Sequence, residues 1–165
     1  MTARRLIIIA AIPLFTLSAV AASPIIFVVR HAEKSADGND PDLSAAGQER
    51  AEALARIVKD AEITAIFTTE FKRTQETAAP IAKELHVSPT VIPADQIFAL
   101  VEKLRGLKGN GLVVGHGNTI PDLVKALGIA TPVNVPENDY SELFFIILGD
   151  KPQLLALALS DVASP

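Results

Sequence analysis

The stretch FVVRHAEKS, residues 27–35, joins an apolar run to charged side chains with no turn between them. Such a run is typical of a strand buried in a sheet, and here Arg30 and His31 follow it at once. The pattern occurs again at LVVG, residues 112–115, which runs directly into His116. The sequence therefore predicts a fold in which two buried strands each end at a histidine.

Apolar runs alternate with helical patterns along the rest of the chain. A helix with Ser44 as its N-cap follows the first strand, and a capping-box-like pair, Thr119 with Asp122, starts a helix that ends near Gly128. The other runs are ITAIF, PTVIP, GLVVG, ELFFIIL and QLLALAL. This alternation predicts an α/β fold, a three-layer α/β/α sandwich with a mostly parallel central sheet and helices on both faces. Ligands of such sheets bind beyond the carboxyl ends of the strands, where both histidines should lie.

Length and charge restrict the possible functions. The chain has 165 residues, a formal net charge of −4 and an isoelectric point near 5.3. This length favours a single domain with one site. No run of lysine or arginine could follow a phosphate backbone, so we expect no nucleic-acid partner.

Residues 1–22 have the layout of a secretory signal peptide. Arg4 and Arg5 precede an apolar run, and small residues follow it at Ala19, Ala21 and Ala22. We expect cleavage near Ala21 or Ala22, which leaves residues 23–165 as a soluble domain, exported to the periplasm or outside the cell, with no stable membrane span. A retained anchor is the alternative, although the apolar run is short for a span and is interrupted by a proline.

Basic side chains from three loops could converge at one edge of the sheet. Arg30 and His31 end the first strand, His116 ends a later one, and Arg73 falls in the first turn of a helix after FTTEF. Guanidinium groups match phosphate oxygens and stay charged at any working pH. A histidine beside them could attack phosphorus or donate a proton. A single histidine of this kind is more often structural, but two with matched arginines favour an anion site.

Four blocks, in order, resemble the histidine phosphatase superfamily, also called the phosphoglycerate mutase-like family: VVRHAEKS, LSAAGQERAEALA, IFTTEFKRTQETAAPIA and LVVGHGNTIPDLVKAL. The chain is similar to a small, exported, bacterial-type member. The resemblance implies a phosphatase that hydrolyses phosphomonoesters through a phosphohistidine on His31, with no metal ion or cofactor. Arg30 and Arg73 would hold the phosphoryl oxygens, and His116 would contact them from the opposite strand.

Further site residues are proposed by position. Asn118 and Thr68 or Thr69 are possible neighbours of the phosphate, and Glu33 either orients its surroundings or is a surface carboxylate. Larger members of the family carry the general acid in an inserted region that this chain lacks, and Asn118 stands where the acid phosphatase branch has an aspartate. Asp95 is the first candidate for this acid and Glu33 the second.

The sequence leaves the substrate open. We expect a small phosphorylated molecule, and the loops SADGNDPD and TPVNVPENDYSE should line the mouth of the site. Two alternatives remain: a phosphohistidine (phosphoramidate) phosphatase, and a non-catalytic binder of phosphorylated sugars or envelope glycolipid phosphates. No pattern in the sequence determines the oligomeric state.

Overall fold

The structure, a computed structural model, describes residues 23–36 and 38–159, so the predicted signal peptide lies outside the described residues. The described chain alternates between strand and helix until its last two strands. The elements are β1 (Ile25–Arg30), α1 (Ala45–Val58), β2 (Ile63–Thr68), α2 (Lys72–Leu85), β3 (Thr90–Val91), α3 (Ile97–Arg105), β4 (Asn110–Gly115), α4 (Thr119–Ala126), β5 (Glu142–Ile147) and β6 (Gln153–Ala158). The predicted α/β class is confirmed.

The strands form one sheet in the order β3-β2-β4-β1-β5-β6. The first four strands of this order are parallel, whereas β5 runs antiparallel to β1 and β6 antiparallel to β5. In the pairing of β1 with β4, Arg30 lies opposite Gly115. The ends of these two central strands therefore lie side by side, and the residues that follow them enter the same space.

Apolar side chains fill both faces of the sheet. Ile26 and Val28 of β1 pack on the side of α3 and α4, while Phe27 and Val29 pack on the side of α1 and α2. This alternation is what a strand buried on both faces requires, because successive side chains point to opposite faces. The prediction of helices on both faces is confirmed.

The start of α4 differs from the prediction. Its N-cap is Asn118 rather than Thr119, and no side chain caps the helix there. The Thr119 hydroxyl instead accepts a hydrogen bond from the backbone N–H of His116 at 2.9 Å. That N–H lies in the turn after β4 and needs a partner more than the solvated first turn of the helix does. Thr119 thus fixes the turn that carries His116.

The first turn of α1 packs closely against the segment that follows β1. Ser44 caps this helix as predicted, its hydroxyl accepting from the N–H of Gly47 at 3.1 Å. A Cβ atom at Gly47 would lie 2.1 Å from the carbonyl oxygen of Glu33, a backbone atom that has little freedom to move. Only glycine therefore fits at this contact.

Gly47→Ala should destabilise the fold by about 2 kcal/mol or more, because helix and loop must separate to admit the methyl group. Gly106→Ala is the matched control, since its Cβ would meet no atom closer than 3.5 Å. The control should change the free energy of unfolding by less than about 0.5 kcal/mol. Urea denaturation of both variants measures the difference, and equal stability would contradict the contact.

Candidate active site

A cleft of about 640 Å³ opens beyond the carboxyl ends of β1 and β4. The four basic residues singled out in the sequence, Arg30, His31, Arg73 and His116, all line it. The remaining lining residues come from the loops around them: Lys34, Asn39, Pro41, Phe71, Ala94, Gly117, Asn118, Thr119, Val135 and Glu137. The structure thus brings together residues that lie far apart in the sequence.

His31 is held in one tautomer by its own backbone neighbourhood. Its ring Nδ1 lies 2.8 Å from the carbonyl oxygen of Ala32, which can only accept, so Nδ1 carries the hydrogen. The free lone pair is therefore on Nε2. The side chain is only 3% exposed. Burial, followed by the charges of the nearby arginines and of Lys34, lowers the pKa of His31 to about 4. His31 is neutral at pH 7, the form in which a nitrogen can act as a nucleophile.

His116 lies next to His31, with 5.3 Å between the ring centroids. Its Nδ1 is 3.5 Å from Nη2 of Arg73, a group that can only donate, so Nδ1 accepts. Its Nε2 then carries the hydrogen and donates to the hydroxyl of Thr69 at 2.9 Å. Burial, then the positive charge of Arg73, lowers the pKa of His116 to about 4. His116 is neutral in the free protein as well.

Two threonines hold the Nε2 side of the His116 ring in place. The hydroxyl of Thr69 lies 3.0 Å from that of Thr74, which donates in turn to the carbonyl of Phe71 at 2.8 Å. Both threonines are buried. The helix α2 has no side-chain cap, and these hydroxyls hold its start against β4. Thr69, one of the predicted phosphate neighbours, thus contacts His116 directly.

Arg30 is anchored to the loop that precedes β5. Its Nη1 donates to the backbone carbonyl of Pro136 at 2.7 Å, to that of Asp139 at 3.2 Å and to that of Glu137. Its guanidinium also stacks on the ring of Tyr140, with Cζ 4.5 Å from the centroid. Its Nε is buried and has no hydrogen-bond partner among the described residues. Nη1 of the guanidinium holds the loop, whereas the N–H of Nε is not used by any of these hydrogen bonds.

Arg73 is arranged in a similar way. Its guanidinium stacks on Phe71 at 4.3 Å, and its Nη1 lies 3.5 Å from a carboxylate oxygen of Asp40. Its Nε is also buried and has no partner in the described part of the chain. A buried donor without a partner is costly, and two such donors at one cleft fit an anion that accepts from both.

The other predicted site residues do not all line this cleft. Asn118 lines the cleft, but Thr68 lines a separate cavity of about 20 Å³ under α3 and α4. Glu33 lies outside the cleft lining and accepts from Nε and Nη2 of Arg50, at distances down to 2.6 Å. Asp95 is exposed and is not among the cleft residues.

The sequence did not single out three residues that line the cleft. Lys34 is not among the predicted site residues, and Asn39 and Glu137 belong to the two predicted mouth loops without a role of their own. Both loops do contribute lining residues. Loop residues have no periodic pattern from which the direction of a side chain can be deduced, so only the polar composition of the two loops was a signal.

Two further properties concern the described residues alone. They contain no group of three or more His, Cys, Asp or Glu side chains that could hold a metal ion. None of their helices combines the length and apolar character required to cross a membrane.

Residues 26–96 match the sequence model of the histidine phosphatase superfamily (branch 1). The described structure superposes on that of the protein histidine phosphatase SixA complexed with tungstate, with a TM-score of 0.71. The chain has the histidine phosphatase fold. The sequence identity to SixA is 20%, over 84% of this chain and 99% of that one.

Other proteins with the histidine phosphatase fold are similar to a comparable degree. Mycobacterial glucosyl-3-phosphoglycerate phosphatase in complex with inorganic phosphate superposes with a TM-score of 0.69 and 15% identity, over 86% of this chain and 100% of that one.

A PE-PGRS family protein, PE_PGRS11 of Mycobacterium tuberculosis, is 41% identical over 76 residues. That match covers 44% of this chain and 13% of the relative, so the chain spans about an eighth of the relative's length.

The buried histidines should make stability depend on pH. Their pKa of about 4 in the folded protein lies below the value of about 6.5 in an unfolded chain, so the unfolded state binds more protons between these values. The free energy of unfolding should therefore fall on acidification from pH 7 to pH 5, by about 1 to 2 kcal/mol for each histidine.

Urea denaturation of the wild type and of His31→Asn at both pH values measures this effect. The variant should show a smaller fall. His86→Asn is the control, because His86 is exposed at the end of α2 and away from the cleft, and it should keep the wild-type fall. An equal fall in His31→Asn and wild type would contradict the assignment.

Proposed function

We propose that this protein is a phosphatase that hydrolyses small phosphomonoesters through a phosphohistidine intermediate on His31, without a metal ion. The observation that carries the proposal is the cleft itself. Two neutral histidines lie 5.3 Å apart there, between two arginines whose buried Nε donors lack partners. This arrangement provides a nucleophile and the positive charge that a phosphoryl group requires.

The first step follows from the tautomer of His31. Because Nδ1 donates to the Ala32 carbonyl, the Nε2 lone pair attacks phosphorus and the ester oxygen departs. The same hydrogen bond stabilises the positive charge that develops on the ring. The Nε groups of Arg30 and Arg73 would bind the equatorial oxygens, where negative charge concentrates in the transition state. Water then attacks phosphorus and releases phosphate and neutral His31.

His116 would change its protonation state when substrate binds. Its Nδ1 accepts from Arg73 in the free protein, so it cannot donate to a phosphate there. A bound dianion favours the charged form of a nearby histidine. Protonated at Nδ1, His116 would donate to a phosphoryl oxygen while its Nε2 keeps the hydrogen bond to Thr69.

A phosphohistidine phosphatase is the second candidate. SixA, whose fold this chain shares over most of its length, is a protein histidine phosphatase. The phosphatase of similar fold is named for glucosyl-3-phosphoglycerate, a small phosphate ester, which supports the phosphomonoester proposal instead.

Replacement of His31 tests the chemistry. His31→Ala should lower kcat/KM for p-nitrophenyl phosphate by about 10³-fold or more, because it removes the nucleophile. His86→Ala should retain wild-type activity, since it lies away from the cleft. Acid-labile phosphate should be trapped on wild-type protein by rapid quench during turnover and should be missing from His31→Ala. Turnover without trapped phosphate would exclude the covalent intermediate.

The same assays separate an enzyme from a binder. A panel of phosphosugars, alkyl phosphates and a phosphohistidine peptide, beside p-nitrophenyl phosphate, identifies the preferred class. A protein that turns over none of them, yet binds phosphate equally well with and without His31, would be a non-catalytic binder of phosphorylated sugars or glycolipid phosphates.

We also propose that the protein is exported, on the strength of the sequence of residues 1–22 alone. Mass spectrometry of protein recovered from the periplasmic or extracellular fraction should show a chain that begins at residue 22 or 23. Recovery of the intact chain in the membrane fraction would favour the retained anchor instead.

A further inference from the structure

We propose that Glu137 is the general acid that protonates the leaving-group oxygen. This inference rests on the proposed phosphatase function and supplies the proton donor that the reaction needs for esters of poor leaving groups. It replaces Asp95 and Glu33, the two candidates that the sequence suggested.

Position is the first argument. Glu137 lines the cleft, whereas Asp95 and Glu33 do not. Its backbone carbonyl accepts a hydrogen bond from Nη1 of Arg30, the guanidinium whose Nε would hold the phosphoryl group. The backbone of Glu137 is thereby held beside Arg30, and its exposed side chain lies at the edge of the cleft. The departing oxygen must lie on the side of phosphorus opposite to His31, because attacking and leaving atoms are in line.

Availability is the second argument. Within the described chain, the Glu137 carboxylate makes no hydrogen bond or ion pair, and it is the only carboxylate among the lining residues. Other carboxylates around the cleft already have hydrogen-bond or ion-pair partners: Glu33 has Arg50, Asp40 has Arg73 and the Lys72 N–H, Glu70 has the Ala94 N–H, and Asp139 has Ser141.

The proton balance closes over the two steps. In the first, the N–P bond to Nε2 of His31 forms, the P–O bond to the leaving group breaks, and the leaving oxygen takes the proton of the Glu137 carboxyl group. In the second, the Glu137 carboxylate accepts a proton from the attacking water. The new O–P bond forms, the N–P bond breaks, and phosphate leaves with neutral His31 and protonated Glu137.

The experiment measures how Glu137→Gln changes the dependence of kcat/KM on the leaving group. The substrates are p-nitrophenyl phosphate, whose leaving group needs little protonation, and an alkyl phosphate of similar size, whose leaving group needs a proton. The variant should lose at least about 10-fold more activity on the alkyl than on the aryl ester, since general acids contribute roughly 10²-fold or more. The backbone carbonyl that binds Arg30 is retained in this variant.

Two companion variants sharpen the result. Glu137→Asp keeps the acid and should recover part of the alkyl phosphate activity. Asp95→Asn is matched in chemistry but lies outside the cleft, and it should leave the alkyl-to-aryl ratio at the wild-type value.

Two outcomes would overturn the proposal: an unchanged alkyl-to-aryl ratio in Glu137→Gln, whether or not both activities fall, or a fall of the ratio in Asp95→Asn. Each of these leaves the phosphatase function intact, because wild-type turnover of p-nitrophenyl phosphate establishes that function independently. Wild-type protein that turned over neither ester would overturn both.

Discussion

The parallel pairing of β1 with β4 is the constraint on which the site depends. Arg30 lies opposite Gly115 in this pairing, and the N–H of His31 donates to the carbonyl of Gly115 at 2.9 Å, which extends the ladder by one bond. His31 and His116 therefore leave the sheet at the same level, side by side. A shift of register by one residue would turn every side chain of β1 to the opposite face and separate the two rings. The register of this pairing thus positions both histidines as well as the core side chains of β1.

Four basic groups packed around one cleft would repel one another if all were charged. The structure avoids this by keeping both histidines neutral, through burial and through the arginine charges. The two guanidiniums stay charged, and each is stabilised by an aromatic ring and by oxygen atoms on one side only. Their Nε groups have no hydrogen-bond partner among the described residues. The site is thus complementary to an anion before one binds, which is the arrangement that electrostatic preorganisation requires.

Much of the fold could be predicted because it depends on periodic patterns. The strands, the helices and the convergence of Arg30, His31, Arg73 and His116 all follow from apolar spacing and from the geometry of parallel sheets. The sequence pattern says less about the direction in which a single side chain points. The sequence could not show that Glu33 pairs with Arg50 of α1. It also could not show which of two adjacent threonines faces His116, because neighbouring residues at a strand end point to opposite sides.

The loop before β5 shows why its side chains could not be predicted from patterning. It contains no periodic segment, and it is held by Arg30 through the carbonyls of Pro136, Glu137 and Asp139. On the loop, the acceptors of these bonds are all backbone atoms. The bonds therefore restrict few of the side chains that the loop presents to the cleft. The same guanidinium would bind the phosphoryl group through Nε. A displacement of the loop would therefore move Arg30, and loss of the Tyr140 ring, which belongs to the same loop, would remove the stacking contact on its guanidinium.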